Sequence, residues 1–367
     1  MRTELCDVFG IDYPIFAFTP SEHVAAAVSR AGGLGVLGCV RFNEPEELET
    51  TLSWLDDNTD GKPYGVDVVM PMKIPTEGTS VDLGAMIPQT HKDFVDETLR
   101  KLGVPPLPEG EGREGVLGWL HSVARSHVDI ALAHRPVLIA NALGSPPVDV
   151  IEKAHEHGVK VAALAGAAKH AQSHVANGVD VIVAQGYEAG GHTGEIASMV
   201  LTPDIVDAVG DVPVLGAGGI GSGRQVAASL ALGAQGVWTG SIWLGTEEYQ
   251  QLNSHSGWTD AFLRATSSDT VRTRIYTGKP ARLLKTKWTQ AWAEDGAPDP
   301  LPMPLQNLLV SQAHNAINAH GDPEVVSMPV GQIVGRMNDV RPVADVMADL
   351  VAGFEEAVAH LDKVRSG

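Results

Sequence analysis

The sequence predicts an α/β protein, a (β/α)8 TIM barrel with an insertion after its third strand and a helical C-terminal extension. Three observations predict it. Short apolar, β-branched runs alternate with helical patterns, as in a parallel sheet built from βα units. Eight such runs occur, enough to close a barrel. Glycine-rich strand ends fall on two consecutive runs, the seventh and eighth, where barrels often grip phosphate.

Taken in order, the runs are 14–18, 34–40, 64–70, 136–141, 159–164, 179–185, 212–216 and 236–240. A helix over 21–31 places Val24, Ala27, Val28 and Ala31 at i, i+3, i+4 and i+7, and Gly32-Gly33 stops it. Asn43 is the expected cap of a helix over 44–55, with Pro45 in its first turn. Residues 72–135 form the insertion, with helical patterns at 94–102 and 116–133 and the loop-like "PPLPEGEGREG" at 105–115. Helices over 146–157, 167–176, 202–209 and 223–232 continue the alternation, three of them closing on Gly158, Gly210 and Gly233. The expected domains are a barrel over 1–245 and an extension over 246–367 packing on it, with a last amphipathic helix at 343–364.

Composition narrows the class. Hydrophobic residues make up 44% and charged residues 19% of 367, an ordinary globular balance. The net charge of −19 repels phosphate backbones and anionic membranes, which argues against nucleic acid as a partner. The two cysteines, Cys6 and Cys39, sit in no metal spacing and read as buried small hydrophobes. The first residues carry acids where a signal peptide would be apolar, and no apolar run approaches the ~20 residues that span a bilayer. A cytoplasmic protein with no membrane partner is expected.

The chemistry gathers at strand ends. "GAGGIGSGRQ" follows the seventh strand and "TGSIWLGTEE" the eighth, each offering bare backbone N–H groups to a phosphate. Gly216, Gly218 and Gly221 also match GxGxxG, but the next strand lacks the acid that binds a ribose, so a Rossmann site ranks lower. The sixth strand ends in "AQGYEAGGHTGE", where paired glycines leave the backbone bare and His192 stands at the mouth. An imidazole with an ordinary pKa of ~6.5 suits removal of an acidic Cα proton near neutral pH.

These stretches resemble the nitronate monooxygenase family, formerly called 2-nitropropane dioxygenases, FMN-dependent (β/α)8 barrels. The matching blocks are "AAAVSRAGGLGVLG", "GVDVVMP", "VAQGYEAGGHTG", "VPVLGAGGIGSGRQVAASLALGAQGVWTGS" and, more loosely, "GKPARLLKT". The resemblance implies FMN with its phosphate on Gly218, Gly219, Gly240 and Ser241, flavin contacts at Gln185, Gly190 and Gly191, and His192 facing the substrate. The segment Ala17-Phe18-Thr19-Pro20 stands where the family usually reads "APM", so Ala17, Phe18 and Thr19 are cofactor candidates. Asp67 stands where the family usually has asparagine; an ionised aspartate cannot donate a hydrogen bond.

The resemblance implies oxidation of alkyl nitronates, and of nitroalkanes through His192, by O2 to a carbonyl compound and nitrite. Related barrels sharing "EAGGH" keep open an NAD(P)H-dependent flavin enoyl-thioester reductase, and a non-catalytic FMN-binding protein is a third class. Other residues receive plainer readings. Glu188 is an exposed loop acid or an orienter of His192, and Asp67 a flavin contact or a loop cap. Lys169 lies a few residues beyond the place where some family members carry a lysine. His170 and His174 have metal-like spacing but no third ligand, so a solvated helix face and no metal are expected. Trp238 and Trp243 are expected in the core. Arg272, Arg274, Lys279 and Arg282 form a basic cluster that either draws an anionic substrate or pairs with neighbouring acids. Substrate, use of NAD(P)H and oligomeric state are open at this level.

Overall fold

The computed structural model describes residues 1–70, 83–108, 121–252 and 257–367, with backbone alone at 121 and 122. All eight expected strands form, as β1 (Ile15–Thr19), β2 (Leu34–Gly38), β3 (Tyr64–Val68), β4 (Leu138–Asn141), β5 (Lys160–Ala165), β6 (Val181–Gln185), β8 (Val214–Ala217) and β9 (Gly236–Thr239). They are parallel and close into a barrel in that order, with Phe16 opposite Trp238 where β9 returns to β1. The alternation of side chains along each strand sorts two layers. Val66 and Val68 point outward to Leu48, Leu52 and Leu55 of the covering helix Pro45–Asn58. Phe16, Val36, Ala140, Val183, Leu215 and Trp238 fill the interior. The first helix, Glu4–Phe9, plugs the bottom, its Phe9 ring edge-on to Phe16 at 5.3 Å. A packed floor leaves only the C-terminal mouth for a site.

Helix boundaries follow the local chemistry. Ser21 accepts from the Val24 N–H and caps Glu22–Arg30, and Gly32 turns the chain at φ 93°. The helix expected from 44 instead starts at Pro45, with Glu44 rather than Asn43 at its cap position. The helix expected from 202 starts one turn earlier, as Ser198–Val209, because the Glu188 carboxylate accepts from the Ser198 N–H at 3.0 Å. In the insertion, Gln89–Lys101 and His121–Ala133 are helical; the stretch 105–115 lies partly outside the described residues.

Three short strands escaped the sequence pattern. Gly191–His192 (β7) pairs antiparallel with Ala281–Leu284 (β11), which pairs with Thr270–Thr273 (β10). The tail thus joins the loop that carries the histidine. The last helix, Val343–Ser366, packs on Gly223–Ala231 and Glu22–Arg30. Gly223 and Gly353 meet at this crossing, where a side chain on either would strike the other backbone.

Candidate active site

The mouth is built from inward-facing residues at the strand tops: Phe18, Gly38, Asp67 and Gln185. Phe18 stacks on Trp238 at 6.4 Å, and any side chain at Gly38 would meet the Phe18 ring at 3.0 Å. Of the three candidates on β1, only Phe18 aims inward. Ala17 packs in the layer between strands and helices, and Thr19 accepts from the Ser21 N–H at 3.1 Å. Trp243 is fully buried and donates to Thr239 at 2.9 Å, so both tryptophans are core residues as expected.

Asp67 is 2% exposed, and its Oδ2 has no hydrogen-bond partner among the described residues. Burial pushes its pKa well above the usual carboxylate range, because an ion there would lose its water. The neutral acid carries the donor that an ionised aspartate lacks.

The loop after β6 is held from several sides. Its Glu188 neither touches His192 nor dangles in solvent: its carboxylate takes the N–H and hydroxyl of Ser198. Gly190 has no side chain because a Cβ would stand 2.6 Å from the Gly331 nitrogen. Gly191 adopts φ 72°, a left-handed conformation that favours glycine. At Gly190 the bare backbone therefore serves close packing within the chain. Arg282, 2% exposed, donates to the Tyr187 carbonyl at 2.8 and 3.2 Å and to Thr270 at 3.0 Å. Arg272 reaches the Thr193 carbonyl at 3.3 Å and Glu195 at 3.7 Å, and Arg274 the Gly278 carbonyl at 2.9 Å. Arg272 and Arg282 of the basic cluster thus clamp the loop, while Arg274 holds its own turn.

His192 is half-buried, its Nε2 2.6 Å from the Thr277 hydroxyl. Thr277 is fully buried and also accepts the Lys279 N–H at 3.4 Å. Burial, reinforced by the Lys279 charge, pushes the imidazole down to about 4, so the ring is neutral near pH 7. As a proton acceptor this imidazole is weaker than an ordinary histidine but stays neutral over a wider pH range.

The two loops expected to hold a phosphate expose donors. Gly218 and Gly219 take φ 92° and 73°, and the Ser241 hydroxyl oxygen accepts the Gly331 N–H at 2.9 Å, leaving its proton to donate outward. A Cβ at Gly240 would meet only Phe18, at 3.9 Å, so the protein itself does not require glycine there. That open space, beside a 3-10 turn (Ser241–Gly245) whose first N–H groups lack intrahelical partners, fits an approaching anion. The next loop differs from expectation: the Gln225 side chain already takes the Gly221 N–H at 3.0 Å and the Ser222 hydroxyl at 2.9 Å. A cavity of about 390 Å³ opens beside Gly218 and Gly219, with Ser198, Gln225, Gln332 and Arg336 on its wall.

Thr277, Gly331, Gln225 and Arg336 were not singled out in the sequence. Only "TGK" at 277–279 and the glycine of "PVGQ" at 329–332 hinted at them. His174 also corrects its reading: it is 4% exposed and bonded to the Leu164 carbonyl at 3.1 Å, not on a solvated face. No metal-binding cluster occurs among the described residues. Cys6 and Cys39 are buried and free, and no helix among the described residues is long and apolar enough to cross a membrane.

A closed βα barrel with glycine-rich loops on its last two strands and a histidine at its mouth is the architecture of a TIM-barrel flavin oxidoreductase, the class to which comparison with known proteins assigns the chain. The family model Nitronate monooxygenase matches residues 2–353, and the chain belongs to this family. It is 50% identical to "Putative monooxygenase Rv1533" of Mycobacterium tuberculosis, over 98% of each chain. It is 28% identical to "Probable nitronate monooxygenase" of Staphylococcus aureus, over 98% of this chain and 99% of the other. Among solved structures, nitroalkane oxidase from Streptomyces ansochromogenes matches with a TM-score of 0.79 at 26% identity, over 97% of this chain and 99% of that one. FabK from Thermotoga maritima matches with a TM-score of 0.74 at 27% identity, over 99% of both.

Proposed function

We propose that this protein binds FMN and oxidises alkyl nitronates, and nitroalkanes after deprotonation, with O2 to carbonyl compounds and nitrite. The observation that carries this reading is the neutral His192, pinned by Thr277 on the wall of a mouth that also holds Asp67 and the Gly218–Gly219 and Gly240–Ser241 donors. Atoms balance with two nitronates and one O2 giving two carbonyl compounds and two nitrites. A bound flavin supplies the electron transfer between substrate and O2. The chain's own part is placement. Gly218, Gly219, Gly240 and Ser241 would hold the phosphate, while Phe18, Asp67 and Gln185, with Gly190 and Gly191 beside them, would border the ring. His192 takes the Cα proton of a neutral nitroalkane; a nitronate, already deprotonated, needs no such step.

The test is a spectrum followed by turnover. Purified protein should carry FMN near equimolar, and nitronate with O2 should yield nitrite at two per O2 consumed. Released FAD, or no flavin after reconstitution, would overturn the cofactor assignment. Anaerobic consumption of NAD(P)H with an enoyl thioester, and no nitrite, would favour the reductase reading instead. Flavin that binds but is never reduced would leave a binding protein.

A further inference from the structure

We infer that Asp67 meets the bound flavin as a neutral carboxylic acid donating a hydrogen bond, so that flavin is taken up together with one proton wherever that acid has ionised in the flavin-free protein. This rests on the reading that the barrel mouth holds flavin, and deepens it. Strand alternation turns Val66 and Val68 toward the helices and Asp67 into the mouth, level with Gly38 of β2 and Ala140 of β4. There the carboxyl is 2% exposed and one oxygen lacks a partner, whereas buried polar groups are nearly always bonded. A donor kept unspent at a cofactor's doorstep calls for an acceptor from the ligand.

Among the described residues, no neighbouring charge offers to hold the ionised form. On the turn after β2, the fully buried Cys39 faces the Leu37 carbonyl at 3.7 Å, and its thiol is itself kept neutral by burial. Arg41, beyond it, is paired with Glu22 at 2.7 Å. Tyr64, on the same strand, donates to Asp56 at 2.8 Å. On β4, Asn141 gives its amide to the carbonyls of Met70 and Gly144. From the helix His121–Ala133, His127 is held neutral by burial. Lys279, across the mouth, couples to His192. Among the described residues, desolvation alone acts on Asp67, and it favours the protonated state. Asparagine at this place would offer the same donor without titrating.

The consequence is a distinctive pH dependence. Below the pKa of Asp67 in the flavin-free protein, its proton is in place and affinity is unaffected. Above it, binding must take up a proton, and affinity falls by up to about tenfold per pH unit. The second ionisation of the FMN phosphate is common to all variants and cancels in their comparison.

The experiment titrates flavin-stripped full-length protein with FMN, following fluorescence quenching from about pH 6 to about pH 10. Proton uptake is measured calorimetrically in two buffers, and the infrared difference spectrum of FMN binding is recorded. Wild type should show a protonated-carboxyl band that shifts on binding, and proton uptake wherever affinity falls. Asp67→Asn should bind within about threefold of the wild-type plateau, with neither the band nor the uptake, and Asp67→Leu should bind more weakly at every pH. A shifting carboxyl band absent from wild type, an Asn variant with the same proton uptake, or a Leu variant as tight as wild type would overturn the inference while leaving the flavin site standing. FMN bound by none of the three proteins would overturn the site itself.

Discussion

His192 shows how much a residue's neighbours decide. The sequence suggested a base of ordinary strength; burial and Lys279 instead lower it to about 4. His192→Asn should retain FMN and separate two activities. A lost general base typically costs ~10² to 10⁴-fold, so turnover of a neutral nitroalkane should collapse while its nitronate survives within about tenfold. An equal fall in both would show that the histidine binds the substrate anion rather than moving a proton. Lys279→Met removes the positive charge that disfavours the imidazolium, so the pKa of His192 should rise from about 4 toward ~6.5, only part of the way because burial remains. The acid limb of the nitroalkane rate profile should move to higher pH in this variant and stay put for the nitronate.

Among elements, the β7–β11–β10 sheet and the segment 330–332 do for the loop what the barrel does for the strands. The Gln332 N–H reaches the Glu188 carbonyl at 3.0 Å, and the Gly190 backbone lies against Gly331. Gly190→Ala should push these segments apart, since overpacking of this kind costs ~1–3 kcal/mol. FMN affinity should drop about tenfold or more with far-ultraviolet circular dichroism unchanged, which binding titrations and spectra would check. The longer elements were legible because a strand buried on both faces reads as a continuous apolar run, and a helix with one apolar stripe writes its geometry into every third or fourth residue. The two-residue strand Gly191–His192 is too short to have a period, and its partners lie about ninety residues downstream at Ala281 and Arg282. Thr277 and Gly331 stayed hidden for the same reason. Arg282 looked like a solvent charge because sequence reveals a cation but not the Tyr187 carbonyl it will find.

At the scale of the whole molecule, buried histidines govern acid stability. His192 and His314 are pushed down to about 4 and about 3 by burial, and His127 and His174 are lowered for the same reason. A histidine whose folded pKa is depressed binds its proton only after unfolding, so its contribution is full above ~6.5 and fades as pH falls toward the folded value. Denaturant titrations should therefore show stability falling from about pH 6.5 downward, by up to ~1.4 kcal/mol per pH unit for each such histidine. His314→Phe should flatten that slope; an unchanged slope would exclude this histidine from the effect. One consequence of the fold concerns synthesis. Every barrel strand is translated by Thr239, before Thr277, the strand Ala281–Leu284 and Gly331 that hold the histidine's loop. A growing polypeptide thus holds all the staves of its cask before it owns the segments that fasten the histidine's loop.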